Sequence, residues 1–507
     1  MEVIRDPRRW LVLIVLCLST LVLVVDNMAL AVAVPPLTQD LQAGAQDMQW
    51  ILDSYILVFA GLLLTSGSLS DRFGRRRVMI IGLVLFGLAS LVATFAASPG
   101  ELIAARVVMG IGGALVMPST LSILITVFDG TERRKAMTAW SAVAMIGLVG
   151  GPVLGGALIA WFWWGAVFLI NVPIAVVAII AAVVLMPESK GPWRKPDPLG
   201  AVLSAVGMTA LVWSIIELPK SGFGHPSTLG ALVVAVVSLG AFVVWERRTP
   251  APMVPLALFR DRAFSGGSLA LTLVQVGNGG LLLILTQYLQ YVLDYTPTQA
   301  GLAFIPMAAA SLLCNTLGVT FGSRIGNRTL AVVGLTTLAA GFGKLSTLTP
   351  EDGFAMLAAA LCVLGAGGGL AMPAITSALM GAVPPEQAGV GSALNDTIQQ
   401  AGAALGIAVL GSVVTSAFTR NMPADAPEAA RRSIGEALAL GDTGIADAAR
   451  DVFTAAMNTA FLGAALGVFA AAILTFVIMR DRTATPAAPA ATEIPATSTV
   501  RDRSFTS

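Results

Sequence analysis

The chain has 507 residues, 56% of them hydrophobic and only 12% charged, with a formal net charge of +1 and a mean hydropathy of +0.83. Soluble domains carry about 25% charged residues, so this chain is solvated by lipid, and its balanced charge gives no reason to expect nucleic acid as a partner. Three cysteines (Cys17, Cys314, Cys362) and the single His225 are too few and too scattered for a disulfide framework, a metal site or a His-centred triad, so neither an enzyme nor a bound cofactor is expected.

Arg8 and Arg9 precede the first apolar run. No small-residue cleavage site ends that run, which therefore reads as a retained membrane helix and not a signal peptide. Apolar segments of about 20 residues, enough to cross a bilayer, are predicted at 10–34, 48–69, 78–97, 101–126, 136–160, 165–186, 199–218, 228–245, 264–291, 298–320, 329–348, 354–380, 388–418 and 453–479, fourteen in all. Arg420 to Asp451 is polar and helix-prone and reads as an external loop. Past Arg482 the Ala, Pro and Thr-rich composition predicts a disordered tail. With the N-terminus in the cytoplasm, the inner loops collect 23 of the 30 basic residues, as positive-inside topology requires. Both termini are then cytoplasmic.

Within that frame, Arg106 is the one deep basic residue. It opens Arg106–Pro118 (RVVMGIGGALVMP), and Leu361–Pro373 (LCVLGAGGGLAMP) matches it at seven of thirteen positions, 255 residues further on. The repeat equates helix 4 with helix 12, so helices 1–6 correspond to 9–14 and helices 7–8 are an insertion. Parallel repeats with a site at their interface are a transporter architecture. A charge in hydrocarbon costs several kcal/mol and persists where it meets a partner or a wet cavity.

Gly67–Met79 (GSLSDRFGRRRVM) is more than a basic loop, because Gly67, Asp71 and Gly74 frame Arg72 and Arg75. It resembles the helix 2–3 signature of the major facilitator superfamily. The segment around Arg106 is similar to that superfamily's helix 4 signature, and Gly147–Gly156 (GLVGGPVLGG) to the helix 5 motif of its antiporters, carried here by Gly147, Gly151, Pro152, Gly155 and Gly156. Asp26–Pro35, Gln49–Leu57, Trp164–Pro173 and Gln399–Gly411 extend the resemblance to the fourteen-helix drug:proton antiporters, the quaternary-ammonium, antiseptic and antibiotic efflux pumps. Arg exceeds Lys 25 to 5, a composition that fits a GC-rich bacterium.

What the resemblance implies is an all-α integral membrane protein. Its six-helix bundles would lie at 1–186 and 263–482, with a two-helix insertion and cytoplasmic linkers at 187–262 and a cytoplasmic tail at 483–507. It implies a monomeric bacterial inner-membrane exporter that exchanges protons for amphipathic, preferentially cationic, drug-like molecules. No phosphate-binding loop is present, so ATP does not drive it. The alternatives are a dedicated exporter of one self-made metabolite and a non-transporting sensor. Asp26 and Arg106 are the expected proton-coupling groups, about 13 Å and about 7.5 Å below the outer surface at 1.5 Å per residue, facing one cavity. Burial and the guanidinium act on the carboxyl's proton affinity in opposite senses. Substrate candidates are Asp53, Tyr55, Gln275, Asn278, Gln287 and Asp396. In the second half Ser323 stands at the position of Asp71, Leu361 at that of Arg106 and Asn278 opposite Asp26.

Overall fold

The computed structural model describes residues 9–191, 197–221, 225–250 and 252–479. The expected tail at 483–507, and the basic residues Arg5, Arg8, Arg194, Lys195 and those beyond Met479, lie outside these, as does the side chain of Ser323. No strand occurs among the described residues. The long helices are α1 (Arg9–Asp40), α2 (Ala45–Phe73), α3 (Arg75–Thr94), α4 (Pro99–Val127), α5 (Gly130–Trp161) and α6 (Ala166–Leu185). They continue with α7 (Pro198–Ser221), α8 (Pro226–Arg248), α9 (Arg262–Gln287), α10 (Ile305–Ile325), α11 (Asn327–Leu345), α12 (Phe354–Gly381), α13 (Ala388–Asn421) and α14 (Thr443–Ile478).

Each of the fourteen predicted segments overlaps one of these helices, the widest differences being at the starts of α10 and α14, which begin at Ile305 and Thr443 where 298 and 453 were expected. Among the described residues, apolarity and length together mark 12 as able to cross a membrane, against the fourteen expected. The two outside that set are α5, several of whose side chains lie outside the described residues, and α11, which has Arg328 and Lys344 near its ends. Their 32 and 19 residues still span roughly 48 and 28 Å at 1.5 Å per residue. The polar stretch after α13 folds into two short helices, Glu428–Arg432 and Ile434–Ala439. Arg450 of α14, paired with Asp294 at 3.0 Å, ties the start of that helix to the turn after α9.

The internal repeat is visible in the packing. The pairs α3–α4, α2–α4 and α1–α5 recur eight helices later as α11–α12, α10–α12 and α9–α13. Glycine sets the distance in both halves: a methyl group on Gly112 of α4 would lie 2.7 Å from the carbonyl oxygen of Gly82 on α3. One on Gly367 of α12 would lie 2.8 Å from that of Gly334 on α11. Close backbone approach of this kind, where dispersion replaces the absent hydrophobic drive, is how small residues hold membrane helices together. The helices α7 and α8 have no counterpart in this scheme. α8 packs on α7, and α7 packs on both α2 and α13, with Trp213 stacked on Trp50 of α2 (ring centroids 4.9 Å apart).

Candidate functional site

Three arrangements concentrate the polar side chains of this apolar chain. The first lies inside the bundle of α1 to α6. Arg106 Nη1 donates to Asp26 Oδ2 at 2.6 Å, its Nε to the Ile51 carbonyl at 3.2 Å and its Nη2 to Asn27 Oδ1 at 3.4 Å. The guanidinium lies over the Tyr55 ring, 4.4 Å from its centroid, a cation–π contact that replaces part of the lost hydration. Asn171 of α6 donates to Asp26 Oδ1 at 2.7 Å. Asp26 and Arg106 are 0% and 1% exposed, so every ionic valence is answered by protein. Breaking such a buried pair from one side costs about 3–5 kcal/mol. The helix 5 motif packs against the same segment of α1. Gly147, Gly151 and Gly155 face Val24, Met28 and Ala29, and a methyl group on Gly155 would lie 2.9 Å from the Ala29 Cα. Pro152 lies inside the helix, and Gly156 meets only Val32, at ordinary contact distance.

The second arrangement joins the two halves where α2 turns into α3. Asp71, near the end of α2, accepts from the backbone N–H groups of Gly389 (2.9 Å) and Val390 (3.0 Å). These are donors of the first turn of α13, and a carboxylate there satisfies orphan N–H groups and the positive end of the helix dipole. Arg75 is held by Asp71 at 2.7 Å and donates to the Pro385 carbonyl at 2.9 Å. Gly67 lets α2 approach closely: a methyl group on it would lie 2.6 Å from the Gly389 carbonyl. Gly74 has φ +113°, outside the range of ordinary L residues, and makes the turn. Arg72 lies over the neighbouring Phe73 ring at 4.9 Å. The motif is thus a clamp between halves as well as a charged loop.

The third is a cavity of ≈ 390 Å³ between α4 and α5 on one side and α9, α10, α12 and α13 on the other. Met117, Met137, Met307, Met372 and Trp140 give it apolar walls, and Gln275, Asn278, Asn315, Asn395 and Gln399 supply amides. Among the described residues, no charged side chain lines it. Trp140 is held by its Nε1 donating to Thr20 Oγ1 at 2.8 Å, and Asn278 donates to Gln275 Oε1 at 3.2 Å. Flat apolar walls with a few amides suit amphipathic ligands without prescribing one structure.

Several expectations change on this geometry. Asp26 and Arg106 meet, but in the packed interior of their own bundle and not on the cavity wall, because Asn171, Ile51 and Tyr55 enclose them. Of the six substrate candidates, Gln275 and Asn278 line the cavity and the other four do not. Tyr55 is committed to Arg106, Asp53 is half-buried on α2, and Gln287 ends α9. Asp396 is buried beside the wall instead of on it; its neighbour Asn395 is the lining residue. Asn278 corresponds to Asp26 by register, yet faces the cavity while Asp26 faces a bundle core. Residues that the sequence reading passed over are Asn171, Trp140, Asn315, Asn395 and Gln399. Asn171 and Gln399 lay inside stretches already singled out, in a run of apolar residues that a polar side chain interrupts.

Comparison with known proteins is consistent along the whole chain. The family described as Major Facilitator Superfamily matches residues 16–407 and, in a second overlapping match, 267–503. The chain is 36% identical over 492 residues to the multidrug efflux pump LfrA of Mycolicibacterium smegmatis, covering 94% of this chain and 97% of that one. It is 36% identical over 428 residues to a puromycin resistance protein of Streptomyces alboniger, covering 81% and 83%. Among solved structures, the human organic anion transporter MFSD10 superposes with a TM-score of 0.60 at 16% identity, over 91% of this chain and 100% of that one, a likeness of fold.

Proposed function

The chain belongs to the major facilitator superfamily, in its drug-efflux branch, and from that premise we propose that it exports drug-like amphipathic molecules in exchange for protons. It is a multi-pass membrane transporter and not an enzyme. The observation that carries the proposal is the cavity of ≈ 390 Å³ shared by helices of both repeat-related halves, since a site at the repeat interface is what alternating access requires. We place the protein in a bacterial inner membrane with the α2–α3 clamp on the cytoplasmic side, supported by the distribution of arginines. The two bundles are assigned to residues 1–186 and 263–482, working as one monomer.

Proton coupling is assigned to Asp26 with Arg106. A guanidinium is no practical proton carrier, so the carboxyl is the carrier and the guanidinium is what its protonation releases. A proton on Asp26 removes the charge that holds Arg106, and α1 and α4 can then shift relative to each other. Cationic substrates are favoured by the absence of a fixed cation among the described residues of the cavity wall.

The test uses protein reconstituted in liposomes, with puromycin as substrate. An imposed pH gradient drives puromycin accumulation by the wild type, whereas Asp26→Asn binds puromycin but the gradient no longer drives it. Gradient-driven transport by Asp26→Asn equal to wild type removes Asp26 from the mechanism. Loss of folded protein instead assigns the pair to holding α1 and α4 together.

A further inference from the structure

The base of the α7–α8 hairpin holds two carboxyl groups side by side. Asp197 immediately precedes α7, and Glu246 lies in the last turn of α8, 3% exposed. A methyl group on Gly200 would meet Asp197 Oδ2 and lie 2.9 Å from Glu246 Oε1, so the two oxygens flank one point. Asp197 is rich in donors. The Gly200 N–H reaches its Oδ1 at 2.8 Å, and Trp245 Nε1 donates to Oδ1 at 2.8 Å and to Oδ2 at 3.0 Å. Glu246 is poor in them: its Oε2 accepts from the Val254 N–H at 3.0 Å, and its Oε1 is buried with no donor among the described residues.

Among the described residues, no cation answers the pair. Arg247 and Arg248 follow on α8 and are exposed, as are Arg260 and Arg262 further along the linker. Asp261 caps the first turn of α9. α7 itself adds Glu217 near its far end, and the helices it packs on, α2 and α13, carry Asp47, Asp53, Asp71, Arg72, Asp396 and Arg420. None of these forms an ion pair with Asp197 or Glu246. Two carboxylates this close and out of water repel, and one proton between them removes the repulsion.

We propose that Asp197 and Glu246 share one proton and form a latch that fastens the base of the inserted hairpin to the linker entering the second half. The N–H contacts on Asp197 favour its anion, so the proton sits on Glu246 Oε1 and is donated to Asp197 Oδ2. Glu246 Oε2 then holds Val254, and Met253, Val254 and Leu258 anchor the linker in the apolar core. When the Glu246 O–H bond breaks, the proton passes to water, the two carboxylates repel, and Glu246 withdraws from Val254. α7 packs on both α2 and α13, so the latch decides whether the helix that bridges the halves is tied to the second half at its inner end. The proposal rests on the membrane orientation given above, which puts this end of the hairpin in the cytoplasm, and not on the transport reaction. An alkaline cytoplasm opens the latch.

Hydrogen–deuterium exchange of the full chain in vesicles, without substrate, reads the latch directly. Met253 and Val254 stand between Pro252 and Pro255, and proline has no N–H, so this segment reports on those two amides. Rates are divided by those of an unstructured peptide at each pH. In the wild type, protection falls about tenfold per pH unit over the range in which the latched pair holds its proton, the slope of a one-proton step. Glu246→Gln, whose amide donates to Asp197 and whose carbonyl accepts from Val254, keeps high protection with no pH dependence. Asp197→Asn removes the second charge and also flattens the profile. Glu246→Leu loses protection at every pH; where it does not fold, the other two variants carry the test. A flat wild-type profile, or the wild-type slope retained in Glu246→Gln, overturns the latch. In vesicles whose two faces are held at different pH, protection follows the face that carries the α2–α3 clamp. Protection that follows the opposite face overturns cytoplasmic control and leaves drug export untouched.

Discussion

Gly389→Ala tests whether the α2–α13 clamp is a contact that glycine alone permits. Helix propensity by itself favours the change by about 1 kcal/mol, since Gly is the poorer helix residue. The structure predicts the opposite outcome. The added methyl group would sit 2.5 Å from Asp71 Oδ1 and 2.7 Å from the Gly67 carbonyl oxygen. One of these is backbone and cannot swing aside, so α2 has to withdraw from α13. Withdrawal gives up the two N–H donations from Gly389 and Val390 to Asp71. Bonds to a charged group are worth about 1.5–3 kcal/mol each, so the clamp loses roughly 3 kcal/mol even after the propensity gain is allowed for. That is about a hundredfold in the closed-to-open ratio. Nitroxides at Phe73 and Glu386, both exposed, in a chain with Cys17, Cys314 and Cys362 replaced, report the separation by pulsed electron resonance. The expected result is a longer distance in Gly389→Ala, with Gly389→Ser behaving the same way. An unchanged distance distribution refutes the reasoning, because it means that the methyl group is accommodated with the clamp shut.

Trp140→Ala removes a large apolar face from the cavity and should weaken binding of flat aromatic drugs by about 2 kcal/mol, roughly thirtyfold; equilibrium dialysis or tryptophan-independent calorimetry measures it. Asn171→Leu leaves Asp26 Oδ1 without its donor, at a cost of about 1–3 kcal/mol. A lower thermal-unfolding midpoint with puromycin binding retained is the expected readout. A tag after Ser507 should be protected in intact cells and one between Ala424 and Asp447 exposed. Labelling both from the same side contradicts the orientation.

The architecture was legible because its signals are local and physical. Fourteen apolar runs, arginines gathered on alternate loops and glycines recurring at a fixed spacing each reflect a constraint that lipid imposes one segment at a time. The clamp was legible as a motif, but its partner was not: nothing in GSLSDRFGRRR says that the carboxylate docks 318 residues away on the first turn of α13. Asp26 and Arg106 could be placed within one helical turn by counting residues, since depth is additive along a helix. Which way they face is not additive. It depends on rotation about each axis, fixed by glycine contacts such as Gly155 on Ala29, and that rotation turned the pair inward, away from the cavity. The amides of the cavity wall escaped for the same reason. An isolated Asn in an apolar run reads alike whether it holds two helices together or waits for a ligand.

The inserted hairpin has a bearing on how a lipophilic molecule reaches the cavity. Two vertical seams run between the halves, one along α2 and α13 and the other along α5 and α10. Leu57 and Ala60 of α2 pack on Val212, and Ile215 and Leu218 pack on Ala408 of α13, so α7 lies across the first seam like a batten over a joint. The second has no such cover among the described residues: Asn315 of α10 donates to the Thr138 carbonyl of α5 at 3.4 Å, and Pro152 of α5 lies beside Gly301, just before α10. A lipophilic molecule arriving from the membrane is then expected between α5 and α10, past the glycine-rich helix that also braces Asp26.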